Sequence, residues 1–162
     1  MFTVIIGLGS NLGRRKETLR RAIFLLQNKL RIQRISRFVS CRPAEGVTGG
    51  KFLNGVLQAK TKLQPDQLLK FLQSIEVSLG RPKNHKPFLP RTIDLDILFY
   101  ENLVMNKKNL QIPHPAAWRR NFVVNPLLEI LPHWKDPVSG KKIEEIAGEN
   151  NYSRRRNKNE GS

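Results

Sequence analysis

Apolar residues recur along this chain in two rhythms, every second residue and every third or fourth. Phe2 to Leu8 predicts a first strand, and Gly7 to Gly13 a tight turn whose glycines permit close approach of a backbone or ligand. Arg15 to Leu30 predicts a helix with Leu19, Ala22, Ile23, Leu26 and Leu30 on one stripe. Ile32 to Cys41 alternates as a returning strand. Phe52 to Leu63 predicts another, with Phe52, Asn54, Val56 and Gln58 on one face. A second helix opens at Pro65, carries Leu68, Leu69, Leu72, Ile75 and Leu79, and closes at Gly80. Pro90 to Tyr100, rich in branched and aromatic residues, is a further strand. The order strand–helix–strand–strand–helix–strand predicts an α+β fold. Its form is a ferredoxin-like antiparallel sheet with helices packed on one face.

The remaining stretches carry weaker patterns. Residues 42–50 and 81–90 are loops rich in glycine, proline or cations, and they are expected to close over bound substrates, with Phe88 as a latch. Glu101 to Asn109 reads as a polar excursion or short hairpin, and Asn125 to Leu131 as a last short helix. From Asp136 onward the core signal fades. The expected organisation is one domain over residues 1–150 and a basic disordered tail over 151–162.

The strand Pro90–Tyr100 carries the most specific chemistry. Its period-two pattern sets Ile93, Leu95 and Ile97 on one face and Thr92, Asp94, Asp96 and Leu98 on the other. Two carboxylates two residues apart then point the same way and repel unless a cation lies beside them. Hard oxygen ligands on a rigid base suit Mg²⁺, which completes its shell with water and substrate phosphates. A bare Asp-x-Asp also arises on ordinary solvated strand faces. Arg91 just ahead of the pair turns the pattern toward a phosphate-and-metal site. Asn54, on the face shared with Phe52, is either a turn-edge residue or a donor–acceptor pair for a flat heterocycle.

Composition narrows the class further. The chain has 162 residues, enough for one domain with a substantial core. Its 29 Lys+Arg against 13 Asp+Glu give a net charge of +16, which attracts nucleotides, nucleic acid or acidic surfaces. One cysteine, Cys41, excludes an intrachain disulfide and a cysteine zinc cluster and fits a reducing compartment. It reads as a structural thiol. Met1 to Leu8 lacks a basic leader and a cleavage pattern, and no apolar run reaches the ~20 residues of a membrane span. The expected location is the cytoplasm.

Taken in order, Gly9-Ser10-Asn11-Leu12, Phe52-Leu53-Asn54, Glu76 with Gly80-Arg81, Pro90 to Leu98, Pro113-His114 and Arg120 to Leu127 resemble the 6-hydroxymethyl-7,8-dihydropterin pyrophosphokinase family. The resemblance spans roughly residues 3 to 132 and rests above all on Pro-Arg-Thr-Ile-Asp-Leu-Asp-Ile. It implies transfer of the pyrophosphoryl group of MgATP to the pterin hydroxymethyl oxygen, with AMP released. It further implies that Asp94 and Asp96 hold two Mg²⁺ ions and that Arg81 and Arg91 serve the reacting phosphates. Lys83, Ile97, His114 and Arg120 would line the site of ATP, the co-substrate. Phe52, Asn54 and Phe122, with Pro43, Ala44 and Glu45, would form the pterin pocket. Glu76 matches an acid of the family pattern without an assigned step.

The chain departs from that pattern at several points. Pro87-Phe88 stands where the family often has arginine and tryptophan, and Lys83 replaces an arginine and loses its bidentate fork. Arg42 replaces a threonine, Ser40 an aromatic, and Pro115 follows His114 in place of an aromatic. A nucleic-acid-binding module would account for the charge and for Arg154-Arg155-Arg156. It would not account for paired strand aspartates, and no nucleic-acid or membrane partner is expected. A non-catalytic nucleotide sensor would keep the site and lose turnover.

Overall fold

The alternating segments build one antiparallel sheet from β1 (Phe2–Ser10), β2 (Leu30–Ile35), β3 (Val39–Cys41), β4 (Phe52–Thr61) and β5 (Asp94–Tyr100). The strand order is β2-β4-β1-β5, with β3 also paired to β4. This is the expected α+β, ferredoxin-like arrangement, and among the described residues it leaves β5 at an edge. The computed structural model describes residues 1–11, 13–41, 51–80, 93–118 and 121–160. Among them, no helix is long and apolar enough to cross a membrane.

Helices cover both faces of the sheet, not one. Leu19, Ala22 and Leu26 of α1 (Arg15–Leu26) and Leu68, Leu72 and Ile75 of α2 (Pro65–Ser78) pack with Val4, Ile6, Leu57, Leu95 and Ile97. On the reverse face, α3 (Asn121–Ile130) and α4 (Ile143–Glu160) contribute Leu127, Ile130 and Ile143 against Ile5, Val56, Leu98 and Phe99. A sheet apolar on two sides needs two covers. The second apolar side is partly the work of a bulge. Ile5 pairs with Phe99 but Ile6 with Ile97, so Leu98 is the extra residue and joins Phe99 on the α3/α4 side. Tyr100 is thereby returned to the α1/α2 side.

Several boundaries differ from expectation for local reasons. The segment Gly7–Ser10 is strand and not turn, because it pairs with both β4 and β5. Helix α1 stops at Leu26, and Leu30, buried, opens β2. The strand expected over 32–41 is broken at 36–38. There the Ser36 hydroxyl accepts from the Val56 amide at 2.9 Å, and Phe38 packs so closely over Gly55 that a Cβ would lie 2.6 Å from its ring. The polar excursion after β5 is a hairpin of β6 (Met105–Lys107) and β7 (Leu110–Ile112).

The C-terminal segment also departs from expectation. Ile143, Ile146 and Ala147 are buried, so core formation continues past Asp136. Residues 151–160, expected to be disordered, continue α4 as helix. Its first turns are anchored on the core, and a helix once nucleated extends readily through polar residues.

Tyr100 carries a pH-dependent part of the stability. Its hydroxyl donates to the Leu63 carbonyl at 2.8 Å. Burial, with a smaller contribution from the Glu101 charge, raises its phenol above the ordinary 10.0. A raised folded-state value favours the neutral phenol. The contribution is therefore complete below pH 10 and lost as pH rises through the folded value. Tyr100→Phe should lose about 1 kcal/mol at neutral pH and show a shallower fall of stability above pH 10, read by denaturant titration at several pH values.

Candidate active site

Strand register assembles the candidate residues in two rows across three strands. Asn54 of β4, Gly9 of β1 and Asp94 of β5 are in register, and so are Val56, Gly7 and Asp96. The neighbours Leu53, Leu57, Leu95 and Ile97 point into the α1/α2 core, so Phe52, Asn54, Asp94 and Asp96 share the opposite face. Strand spacing puts the Asn54 and Asp94 backbones about 10 Å apart, the reach of a small heterocycle with a side arm.

Glycine in the middle strand is required by close approach. A Cβ on Gly9 would lie 2.8 Å from Asn54 Oδ1 and 3.8 Å from Phe52 Cδ1, so both side chains lean over this position. At Gly7 the side chain of Leu98 fills the same role at 3.3 Å. Asn54 is only 8% exposed, and its Nδ2 donates to Cys41 Sγ at 2.9 Å. That bond fixes which edge of the amide faces Gly9. Gly9→Ala should displace Asn54 and, if this face takes the expected pterin, weaken its binding about tenfold with ATP binding unchanged, as read by titration of each ligand alone. Equal losses for both ligands would mean that Gly9 serves the strand and not the pocket.

Asp94 and Asp96 are both partly exposed, and the ring of His114 lies beside the second of them. The His114 amide donates to the Leu98 carbonyl at 3.0 Å, which holds the Pro113–His114 segment against β5. Its Nδ1 accepts from the Ala116 amide at 3.1 Å, which leaves the ring proton of neutral histidine on Nε2. Nε2 stands 4.0 Å from Asp96 Oδ1. Among the described residues no three His, Cys, Asp or Glu converge as a closed metal cage. Two adjacent carboxylates nevertheless fit Mg²⁺, which uses one or two of them and takes its other ligands from water and phosphate.

The other anticipated residues are placed as follows. Ile97 does not join the acids: its side chain is buried in the α1/α2 layer. Phe122 is half-buried in the first turn of α3, a helix that packs against β3 and β4. Arg81, Lys83, Arg91, Arg120, Pro43, Ala44 and Glu45 lie outside the described residues. So do the two loops expected to close, with Phe88. Two contributors escaped the sequence reading. Gly9 was expected in a turn, and Cys41, read as merely structural, is the partner of Asn54. Strand alternation alone carried no sign of the diagonal that brings Cys41 to Asn54.

A family model described as 7,8-dihydro-6-hydroxymethylpterin-pyrophosphokinase matches residues 5–132. The chain belongs to that family. The 2-amino-4-hydroxy-6-hydroxymethyldihydropteridine pyrophosphokinase of Aquifex aeolicus is 41% identical over 150 residues, 93% of this chain and 93% of the relative. The Synechocystis protein of the same name is 38% identical over 141 residues, 86% of this chain and 71% of that one. In the crystal structure of "the HPPK-DHPS in complex with substrates", the fold recurs with a TM-score of 0.77 at 14% identity. That match covers 94% of this chain and 46% of the solved one.

Proposed function

We propose that this pyrophosphokinase transfers the β,γ-pyrophosphoryl group of ATP to the hydroxymethyl oxygen of 6-hydroxymethyl-7,8-dihydropterin in folate biosynthesis. The new bond joins that oxygen to the β-phosphorus, and the bond from the β-phosphorus to the α-bridging oxygen breaks. AMP leaves, and the hydroxyl proton is released. The observation that carries the proposal is the row Asn54–Gly9–Asp94 across three strands, in a chain of this family. It sets an amide suited to reading a heterocycle and a carboxylate suited to Mg²⁺ on one face, with Gly9, which has no side chain, between them.

In this reading Phe52, Asn54 and Phe122 seat the pterin, together with Pro43, Ala44 and Glu45. Asp94 and Asp96 would hold two Mg²⁺ ions, which would supply neutralisation of phosphate charge. Arg81 and Arg91 add cations at the transferred group, and Lys83, His114 and Arg120 at the nucleotide. Ile97, whose side chain is in the core, contributes its main chain along the open edge of β5. The partners are small molecules, with no nucleic acid, and the setting is the cytoplasm, consistent with a lone thiol.

The test is AMP release measured with each component omitted in turn. Release that requires both the pterin and Mg²⁺ is expected. A nucleotide sensor would bind an ATP analogue without releasing AMP, and a nucleic-acid module would bind neither substrate.

A further inference from the structure

Glu76 is an acid on the buried side of α2, beside Leu68, Leu72 and Ile75, and is 6% exposed. A carboxylate in that position is costly unless hydrogen bonds satisfy it. Its Oε2 accepts from the backbone amide of Leu95 at 3.1 Å. Leu95 stands between Asp94 and Asp96, with its own side chain buried beneath the sheet. Among the described residues β1 is the one strand paired with β5, whose other side takes the His114 amide at Leu98. Leu95 therefore turns its amide away from β1, and Glu76 takes it.

An edge strand is the part of a sheet most prone to slip or fray. A slip of one residue would carry both aspartates from the open face into the apolar layer. A side-chain acceptor on the amide between them opposes that slip, since a slipped strand would leave a buried amide and a buried acceptor without each other. We propose that Glu76 is a positioning residue that pins the edge strand through Leu95 and so keeps Asp94 and Asp96 side by side. The proposal rests on the reading of those aspartates as the metal pair. It assigns Glu76 no contact with substrate.

The test compares Glu76→Leu, which keeps bulk and loses the acceptor, with Glu76→Gln, which keeps an acceptor oxygen and loses the charge. Three quantities are read: hydrogen exchange of the Leu95 amide in the free protein, Mn²⁺ affinity with a non-hydrolysable ATP analogue, and pterin affinity. In Glu76→Leu the Leu95 amide should lose protection and Mn²⁺ affinity should fall about tenfold to a hundredfold, with pterin affinity changed less than threefold. Glu76→Gln should keep the protection and stay within about threefold of the parent in Mn²⁺ affinity. It decides the matter alone if the leucine variant fails to fold.

An unprotected Leu95 amide in the parent, or unchanged protection in Glu76→Leu, would overturn the role of Glu76. Equal losses of metal and pterin affinity would also overturn it, as the mark of a general structural residue. So would a Glu76→Gln variant that loses Mn²⁺ with Leu95 still protected. Parent protein that binds no Mn²⁺ would instead sink the metal reading itself, which the exchange experiment does not depend on.

Discussion

Asp94→Ala and Asp96→Ala should each lower the rate of AMP release at least ~10³-fold at saturating substrates, because each removes charge compensation worth a few kcal/mol in the transition state. Folding should survive. Both side chains are on the partly exposed face, while Leu95 and Ile97 between and beside them keep the core contact. The truncation leaves the buried face of β5 untouched, so the melting temperature should stay within a few degrees of the parent. The pair of measurements discriminates. Inactive, unfolded variants would say only that β5 was damaged. Near-normal turnover in either variant would remove the aspartates from the metal site.

Asn54→Ala should weaken pterin binding about tenfold to a hundredfold and leave ATP affinity within about threefold. A heterocycle left with unpaired donors and acceptors loses roughly 1–3 kcal/mol. The amide is buried and held by Cys41, so truncation also frees the thiol's neighbourhood for water. Titration of each ligand alone, with a metal-free nucleotide control, separates the two affinities. A matched fall in both would mark Asn54 as a strand-packing residue at the Gly9 crossing.

The metal reading and the pterin reading were legible in the sequence to different degrees. Asp94-Leu95-Asp96 declares its geometry locally: on a strand, residues two apart face the same way, and the branched neighbours make it a strand. By sequence Asn54 is either a turn-edge residue or a reader of a heterocycle, since nothing within its own strand says what crosses over it. The close approach of Gly9 shows that the amide lies mid-sheet over a bare strand, and it comes from a segment over forty residues earlier. Glu76 shows the same limit. In sequence it is an acid unfavourably placed near the negative end of a helix dipole; in three dimensions its oxygen meets an edge-strand amide.

By itself the sequence determined the period of each element, the antiparallel α+β order and the identity of the two acids, because these depend on neighbours within a turn or a pleat. Only the tertiary structure decided which face each strand shows to which helix pair. The bulge at Leu98, the break at Ser36 and the core anchoring of α4 each depend on distant partners, Ile5, Val56 and the α3 layer. Register is likewise a property of strand pairs and not of one strand. That is why Asn54, Gly9 and Asp94 are three separate residues along the chain and one row in the folded sheet.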